Sequence, residues 1–372
     1  MRFSTLLRNP AEWMASNRGE QSVVVTSRVR LARNLSGEPF PGWARKDDRI
    51  QVHDVLRGEV ENLSAMKDAF SQGLEGLTSL QKQVLVERHL ISREQAARGK
   101  GSAMVVNRKQ TFSLMVNEED HLRMQSIQPG LRLQKAYAKL SELESNLSRE
   151  LDFAFNSRLG YLTACPTNVG TGMRASAMLH LPGLVLSEEI GPVLQGVGRL
   201  RFAVRGFYGE GTESLSNLFQ VSNQSTLGES EEVIIERLER VIRDVEVYEM
   251  NARQRLLETE AEMIYDRIGR AYGTLRFAHT ITSKEALNLL SLLRLGVDLG
   301  YFESDARRLC DILLMDIQPA HLQLHAGQSL DAQMRDSIRA EIIQGRLHSL
   351  APPAIELKRL SPPDQPSPKE NE

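Results

Sequence analysis

The sequence predicts an α+β fold, with a mostly antiparallel sheet flanked by helices and followed by an all-helical C-terminal domain. Apolar and β-branched runs before Gly228 are unevenly spaced between helical patterns, and two of these runs form a hairpin pattern. After Gly228 the chain changes to charged segments with apolar residues at helical spacing. Uneven spacing and a hairpin favour antiparallel strands, and the change of character favours a separate helical domain.

The strands are predicted from short runs of β-branched and apolar residues. In GSAMVVNRKQTFSLMVNEED (101–120), two such runs flank a polar turn near Asn107–Gln110, which predicts a hairpin. A helical pattern is predicted at 66–90. Further strands are predicted at 22–31, 160–165, 201–210 and 217–223.

The C-terminal part is predicted to consist of amphipathic helices. In one charged segment, apolar residues recur every three or four positions, which predicts a long helix. These apolar residues are Ile234, Leu238, Val241, Val245 and Tyr248. Thr282 and Glu285 have the spacing of a capping box and predict the start of a second helix. We expect domains at 1–228 and 229–350, and a proline-rich disordered tail at 351–372.

Composition excludes several classes of protein. The 372 residues are 41% hydrophobic and 25% charged, with a net charge of −2, so no global field attracts nucleic acid or membranes. Cys165 and Cys310 are too few and too far apart for a disulfide framework, and they fit a reducing compartment. The N-terminal stretch lacks the apolar core of a signal peptide, and no apolar segment is long enough to span a membrane. We therefore expect a cytoplasmic protein.

Two charged motifs are the first candidates for ligand contacts. In TSRVR, Arg28 and Arg30 project from the same face of a strand, where like charges repel unless an anion lies between them. A solvated sheet edge is the alternative, and the pair alone favours it. In NEEDHLR, the run from Glu118 through Glu119 to Asp120 is a polar turn, a helix start, or a place where an acid binds Mg²⁺ through water or moves a proton.

The stretch TACPTNVGTGMRAS (163–176) is a candidate phosphate-binding loop. Gly170 and Gly172 would let backbone N–H groups approach an anion. Arg174 follows where a helix is expected to start, so a phosphate would also meet the helix N-terminus. The stretch matches neither a Walker loop nor the dinucleotide pattern. A glycine-rich connector with a small buried Cys165 is an equal alternative on spacing alone.

Two further segments have a functional and a structural interpretation. RGFYGEGTES (205–214) has three glycines around Arg205 and Glu210, which fits a mobile loop that closes on a ligand or a plain hairpin connector. His89 follows a predicted helix, where a cation interacts favourably with the helix dipole. On sequence alone, the structural interpretation of His89 is preferred.

Together these motifs resemble those of the guanidino phosphotransferases, and most closely the bacterial protein-arginine-kinase branch of that family. CPTNVGTGMRAS is similar to the family signature around a reactive cysteine, and NEEDHLR, SRVRLARN and RG-x-x-GE follow the family's order. The resemblance covers residues 10–228 and continues more faintly through the helical domain. It implies a phosphagen-kinase-like catalytic domain at 1–228 that transfers the γ-phosphoryl group of MgATP to a guanidinium nitrogen.

The resemblance implies a nucleotide site built mainly from arginines. Guanidinium groups match phosphate oxygens bidentately, and five are implied as phosphate contacts: Arg28, Arg30, Arg123, Arg174 and Arg205. His89 would lie near the adenine. The pocket would be lined by Thr26, Ser27, Arg28, Val29 and Arg30, by Arg174, Ala175, Ser176, Ala177 and Met178, and by Arg205, Gly206, Phe207, Tyr208 and Gly209.

The acceptor raises a chemical problem, because a guanidinium has a pKa above about 12 and must lose a proton as its nitrogen attacks phosphorus. By the resemblance, Glu119 and Glu210 would bracket the guanidinium, and one of them would accept the proton. Glu118 would help to hold Mg²⁺ through water. Cys165, as a thiolate, would tune the charge of the guanidinium without acting as a covalent nucleophile.

The resemblance also implies that the acceptor is an arginine of a protein. Family members that act on free creatine or arginine carry a helical lid domain ahead of the SRVR strand, whereas Arg28 has 27 residues before it. Those enzymes also tend to have His where this chain has Met178. A role in stress response and protein quality control follows from the resemblance. A kinase for a free guanidino compound and a non-catalytic phosphoarginine adaptor are the alternatives.

The motif RDSIRA (335–340) resembles the RDxxRA motif of protein arginine kinases. By that resemblance, an allosteric phosphoarginine pocket in the helical domain would be formed by Arg335, Asp336, Arg339 and Ala340. An exposed helix face with an Asp–Arg pair three residues apart is the alternative. The resemblance further implies a homodimer, and as partners a heat-shock repressor, a Clp-type protease and a zinc-finger activator.

Overall fold

A single antiparallel sheet organises the N-terminal part of the protein. The computed structural model describes residues 1–8, 10–14, 23–206 and 215–354. Its main sheet has the strand order β2-β3-β4-β5-β1-β8-β10-β9, and all neighbouring strands are antiparallel. The strands are β1 (Val24–Arg33), β2 (Phe70–Gly73), β3 (Ala103–Val106), β4 (Phe112–Val116), β5 (Leu122–Pro129), β6 (Phe155–Asn156), β7 (Gly160–Tyr161), β8 (Met173–His180), β9 (Phe202–Gly206) and β10 (Leu218–Asn223). The predicted antiparallel α+β class is confirmed.

Helices cover one face of this sheet, cover part of the other face at one edge, and build the C-terminal part. Helices α2, α5 and α8 pack on the sheet, and the later helices form a second cluster. The helices are α1 (Phe3–Arg8), α2 (Lys46–Asn62), α3 (Ser79–Glu87), α4 (Arg93–Ala96), α5 (Leu133–Leu147), α6 (Pro182–Leu186), α7 (Ile190–Arg199), α8 (Glu231–Thr259), α9 (Ala261–Phe277), α10 (Ser283–Asp298), α11 (Ala306–Asp316), α12 (Pro319–Ala326) and α13 (Ala332–Leu347). In the described part of the chain, no helix combines the length and apolarity needed to cross a bilayer.

The two faces of the sheet differ in chemistry because side chains alternate along each strand. On β1, Val29 and Leu31 are fully buried in the main core, which also contains Leu56 of α2 and Leu140 of α5. Arg28 and Arg30 alternate with these residues and so project from the opposite face. The apolar face fixes the sheet on its helices. The other face carries the charged side chains of β1, whereas at β3 and β4 it is packed against α1 and α3, where Met104 and Met115 are buried.

The helical predictions are largely confirmed, but the predicted long helix is interrupted. Ile234, Leu238, Val241 and Val245 are buried along α8, as predicted, whereas Tyr248 is 54% exposed. The helical pattern does not continue as one helix, because α8 ends at Thr259 and α9 begins at Ala261. The predicted cap of α10 is confirmed, since the side chain of Thr282 accepts a hydrogen bond from the N–H of Glu285.

Two of the predicted elements differ in the structure. The stretch 66–90 was predicted to be helical, but it contains strand β2, which pairs with β3 at the edge of the sheet, and only Ser79–Glu87 forms an α-helix. Tertiary pairing overrides the helical pattern there. In the predicted strand 160–165, only Gly160–Tyr161 is a strand. The backbone after Tyr161 forms hydrogen bonds with side chains instead; for example, the carbonyl of Leu162 accepts a hydrogen bond from the side chain of Asn34. Residue 22 of the first predicted strand and residues 355–372 of the tail lie outside the described residues.

A buried ion network joins the sheet to the helical part. Glu249 of α8 accepts hydrogen bonds from the N–H groups of Gly183 and Leu184, at 2.8 and 2.9 Å, and pairs with Arg253 at 2.6 Å. Arg253 also pairs with Asp298 of α10 at 3.0 Å. Removing one partner of a buried pair leaves a desolvated charge, so this network strongly fixes how α8 and α10 meet the end of the sheet.

Candidate active site

Five arginines lie on the open face of the sheet. Strand register pairs Arg30 with Arg174 and pairs Ala32 with Arg123. On the other side of β8, Gln220 of β10 pairs with both Met178 and Arg205. Residues paired across antiparallel strands share a face, so all five arginines implied as phosphate contacts project in the same direction. Since β1 lies between β5 and β8, the interpretation of Arg28 and Arg30 as a solvated sheet edge is wrong.

These arginines have few acceptors within the protein. Arg28 donates from Nη2 to Oε1 of Gln125 at 2.5 Å, and Arg123 pairs with Glu118 at 2.5 Å. Among the described residues, the buried Nε atoms of Arg28, Arg30 and Arg174 have no hydrogen-bond partner. Buried donors normally have partners, so three donors aimed at the same face indicate an external acceptor.

The electrostatics of the arginine cluster also favour binding of an external anion. Burial, followed by the nearby charge of Arg123, lowers the pKa of Arg28 to about 9. Burial also lowers the pKa of Arg30 well below its usual range, and Arg28, Arg123 and Arg174 add to the effect. Both shifts reflect first the cost of burying a guanidinium charge and second the repulsion by neighbouring guanidinium groups. A bound polyanion would relieve that repulsion.

His89 lies beside the arginines, but it is not a cation. It follows α3 with a left-handed φ of 57°, and its carbonyl accepts a hydrogen bond from Nε2 of Gln125 at 2.7 Å. Burial, with Arg28 as the next cause, lowers the pKa of His89 to about 3. The prediction that a charged His89 meets the helix dipole is therefore wrong. A neutral ring fits the wall of a pocket.

A narrow cleft next to His89 contains several residues predicted for the nucleotide site. It is lined by Trp13, Thr26, Arg28, His89, Ile127, Ser176, Met178 and Gln220. Sequence analysis missed four residues of this face, namely Trp13, Gln125, Ile127 and Gln220. Gln125 and Ile127 could have been found, because they alternate with Met124 and Ser126 on the same strand as Arg123.

The acidic run forms a polar turn between β4 and β5, and not a helix start. Asn117 has a φ of 54°, and its N–H donates to the carbonyl of His121 at 2.8 Å. Glu118 is 1% exposed; its carboxylate also accepts from the hydroxyl of Ser92 and, at 3.2 Å, from the N–H of Glu119. The carboxyl of Glu119 is exposed at the turn. Glu118 thus balances the arginines, and Glu119 faces outward.

Neighbouring negative charges affect the pKa of Glu119. Partial burial, followed by the negative charges of Asp120 and Glu118, raises the pKa of the Glu119 carboxyl above its usual value. A raised pKa makes a carboxylate a better proton acceptor near neutral pH, as general base catalysis requires.

Asp120 connects the acidic turn to the cysteine loop. Its Oδ1 accepts hydrogen bonds from Nδ2 of Asn34 and from the N–H of Ala164, both at 2.7 Å. The next residue, Cys165, is partly exposed, and its Sγ lies 2.9 Å from Oγ1 of Thr167. The alternative of a small buried cysteine is therefore wrong. Sequence analysis did not assign a role to Asp120, which brings Glu119 and Cys165 to the same end of the sheet.

The two glycines of the loop are required by close backbone packing. Gly170 has a φ of 112°, and an added Cβ would lie 2.1 Å from the carbonyl oxygen of Thr226. Gly172 has a φ of 63°, and a Cβ there would lie 2.7 Å from the carbonyl oxygen of Ala32. Both glycines therefore fit the loop against protein backbone.

The helix expected at Arg174 does not form. Arg174 lies on β8, where Met173, Ala175 and Ala177 alternate with it and are buried, so period-two burial determines the structure. The prediction that a phosphate meets a helix N-terminus there is wrong. Arg174 contributes through its side chain, which also donates from Nη2 to Oγ of Ser222 at 3.4 Å.

Arg205 and Gly206 are the last residues of β9, and Arg205 is exposed. Burial, followed by the charge of Arg205, lowers the pKa of Arg174 from its usual value. The other predicted residues of this segment, Phe207, Tyr208, Gly209 and the catalytic candidate Glu210, lie outside the described residues.

The RDSIRA motif lies on α13. Arg339 is buried and donates to the carbonyls of Ile281 and Ile317, at 2.8 and 3.2 Å, and it pairs with Asp336. Ala340 is buried as well. Arg335 and Asp336 are partly exposed, and Arg335 donates to a carbonyl at 3.1 Å. A simple exposed helix face does not describe the motif, because Arg339 and Ala340 are in the core.

No protein cluster suited to holding a metal by itself is found among the described residues, since none brings together three or more His, Cys, Asp or Glu side chains.

Comparison with known proteins agrees with this fold. The family model of the ATP:guanido phosphotransferase C-terminal catalytic domain matches residues 51–252. The crystal structure of lombricine kinase superposes with a TM-score of 0.54 at 24% identity, covering 65% of this chain and 71% of that one, which supports the fold. The protein is an ATP:guanido phosphotransferase.

The relatives with the same overall length define the branch. The model of the protein-arginine kinase McsB C-terminal domain matches residues 261–358. The protein-arginine kinase of Pelotomaculum thermopropionicum is 42% identical over 345 residues, 91% of this chain and 96% of that protein. That of Moorella thermoacetica is 44% identical over 345 residues, 92% and 99% of the two chains. The chain belongs to the protein-arginine kinase family.

Replacing Gly170 tests the packing of the cysteine loop. Gly170→Ala should lower the free energy of unfolding by about 3 kcal/mol or more, because a Cβ would overlap a backbone carbonyl and the φ is left-handed. Gly228→Ala is the matched control, since Gly228 has a φ of 87° but nothing within 4 Å of the added Cβ. The control should cost about 1–2 kcal/mol. Urea unfolding measures both, and equal losses would contradict the packing explanation.

Proposed function

We propose that this protein transfers the γ-phosphoryl group of ATP to arginine side chains of other proteins. The observation that carries the proposal is the arginine face: five guanidinium groups on one side of the sheet, three of them with buried Nε donors that find no partner in the described structure. The two protein-arginine kinases named above are 42% and 44% identical to this chain over 91% and 92% of its length, and they support a protein acceptor.

The arginine face fits the polyphosphate of ATP. Planar guanidinium forks match phosphate oxygens, and their mutual repulsion is relieved by a ligand with several negative charges. Arg28, Arg30, Arg123, Arg174 and Arg205 would hold the phosphates, and the neutral His89 would border the base. Mg²⁺, when bound, would neutralise phosphate charge, and Glu118 would hold it through water, because Mg²⁺ in such sites keeps several waters.

The acceptor would enter where the acidic turn meets the cysteine loop. Glu119 is exposed and has a raised pKa, which suits selection of a cationic guanidinium and removal of its proton. Glu210 would be the second acid. Cys165 is partly exposed beside this turn and would adjust the charge of the guanidinium as a thiolate. Attack of the nitrogen on the γ-phosphorus with departure of ADP needs no enzyme-bound phosphate.

We further propose a catalytic domain that ends near residue 228 and a helical domain that senses phosphoarginine and mediates dimerisation. Arg335 and Asp336 would be the accessible contacts for phosphate and guanidinium, while Arg339 holds Asp336 in place from the core. A cytoplasmic location, a role in stress response, and a heat-shock repressor, a Clp-type protease and a zinc-finger activator as partners belong to this proposal.

A labelled-phosphate assay tests the acceptor. With γ-labelled ATP, we expect label on an unfolded arginine-rich protein and little on free arginine, and the label should be lost in acid because it is held by a P–N bond. Glu119→Gln should lower kcat by about 10²-fold or more through loss of a proton acceptor. Glu94→Gln is the control, because Glu94 is an exposed acid near Glu119. Label on free arginine alone would contradict the proposal.

A second assay tests phosphoarginine sensing. Adding free phosphoarginine should raise the activity of the unaltered protein. In the double variant Arg335→Ala with Asp336→Ala, the factor by which phosphoarginine raises activity should be smaller by about fivefold or more. Asp266→Ala with Arg270→Ala is the control, because this 2.7 Å pair on α9 is exposed and removes the same charges. An undiminished response in the first variant would remove the sensing role from RDSIRA.

A further inference from the structure

A buried polar relay joins the sheet to helix α10. His180, the last residue of β8, is 1% exposed, and its Nε2 lies 2.8 Å from Oγ of Ser291. Asn217, at the turn before β10, donates from Nδ2 to the same oxygen at 2.8 Å. The N–H of Ser216 donates to Oδ1 of Asn288 at 3.0 Å. Two side chains of α10 therefore hold the neighbouring ends of β8 and β10.

Charges behind His180 set the direction of these hydrogen bonds. Arg294 donates from Nη1 to Nδ1 of His180 at 2.7 Å, so the ring proton is on Nε2 and is donated to Ser291. Arg294 is itself held by Asp311 at 3.0 Å. Burial and the nearby positive charge lower the pKa of His180 well below its usual value, which keeps the ring neutral. Ser291 Oγ accepts two hydrogen bonds, from His180 and Asn217, and is fixed from both sides.

The turn held by α10 has an unfavourable backbone conformation. Ser216 and Asn217 have φ values of 62° and 50°, so two consecutive residues other than glycine are left-handed. A left-handed conformation is uncommon for residues other than glycine and persists where the surroundings impose it. The hydrogen bonds to Asn288 and Ser291 are side-chain contacts from the helical part that hold this turn, and Leu218 next to it packs in the same helical cluster.

The relay lies at one end of the strands that carry the phosphate contacts. β10 pairs with β8 from Leu218 opposite His180 onward, and on its other side it carries β9 with Arg205 opposite Gln220. Arg174 lies near the other end of β8. A displacement of the turn would therefore change the position of Arg205 relative to Arg174 without touching either residue.

We propose that Asn288 and Ser291 are positioning residues for phosphoryl transfer, acting from the helical part of the chain on the Ser216–Asn217 turn. They set the placement of β10 against β8, and through it the relative placement of the arginines that bind the transferred group. The inference rests on the phosphotransfer reaction proposed above. It goes beyond that reaction by making the helical part necessary for the alignment of the catalytic sheet, with or without phosphoarginine.

Steady-state kinetics with an arginine-rich protein substrate test this role. Asn288→Ala should lower kcat about tenfold or more, because small misplacements of reacting groups have large effects on rate. The KM for ATP should change less than threefold, since five arginines share the phosphate contacts. Asn288→Asp keeps an oxygen that accepts from Ser216, and Asn288 is only partly buried, so this variant should restore most of the rate.

Two further variants separate positioning from stability. Asn217→Gly relieves the left-handed strain but removes the hydrogen bond to Ser291, so it should lower kcat without lowering the thermal midpoint. Leu293→Ala removes a fully buried side chain of α10 that takes no part in the relay, so it should lower the midpoint and leave kcat unchanged at a temperature where the protein is folded.

The outcomes are distinct. Loss of kcat in Asn288→Ala and Asn217→Gly, with rescue by Asn288→Asp, supports the positioning role. Unchanged kcat in Asn217→Gly, equal damage by Asn288→Ala and Asn288→Asp, or equal loss of kcat in Leu293→Ala would overturn it. Absence of transfer to the protein substrate in the unaltered enzyme would instead contradict the proposed function.

Discussion

Repulsion among arginines on one face of a sheet is the constraint on which the rest of this structure depends. Arg30 and Arg174 are directly opposite each other on neighbouring strands, and Glu118 provides the negative charge that pairs with Arg123 beside them. Such an arrangement is costly in the free protein, as the lowered pKa values of Arg28 and Arg30 indicate. It can persist because the opposite face of the same strands is packed into a large apolar core.

Two polar connections organise the ends of this face. At one end, Asp120 binds both Asn34 and the N–H of Ala164, and it holds the acidic turn beside the cysteine loop. At the other end, the His180–Ser291 relay holds the sheet against α10. The proposed acceptor site lies at the first connection and the proposed positioning by the helical part at the second, so the arginine face lies between the two.

Much of the fold follows from local patterns. The strand that carries Arg28 and the cap at Thr282 could be predicted because each depends on residues close in sequence. The strand at Phe70–Gly73 could not, because only pairing with β3 makes it a strand. Arg174 was expected at a helix start, and its place on β8 depends on burial of Met173 and Ala175 against distant helices. The two-domain division and the phosphoarginine pocket stay predictions.

The site was predictable where a motif resembles a family and unpredictable where the contact is long-range. Arg28, Arg174 and Cys165 could be predicted as site residues because they lie in the motifs SRVRLARN and CPTNVGTGMRAS. The role of Asp120 could not be predicted, because its hydrogen bond with the N–H of Ala164 links residues that are 44 positions apart in the sequence. Asn288 and Ser291 carry no local signal, because their partners lie more than seventy residues away in the sequence.

Thermal unfolding of Arg30→Met with and without MgATP tests most directly whether the arginine face is built for a bound polyanion. Without nucleotide, the variant should unfold at the same or a higher temperature than the unaltered protein, because a repelled, partly buried charge is replaced by an apolar side chain. With MgATP, the rise in Tm should be much smaller than in the unaltered protein. A variant that is less stable without nucleotide and keeps the full rise with MgATP would show that Arg30 is a structural residue and would contradict the account.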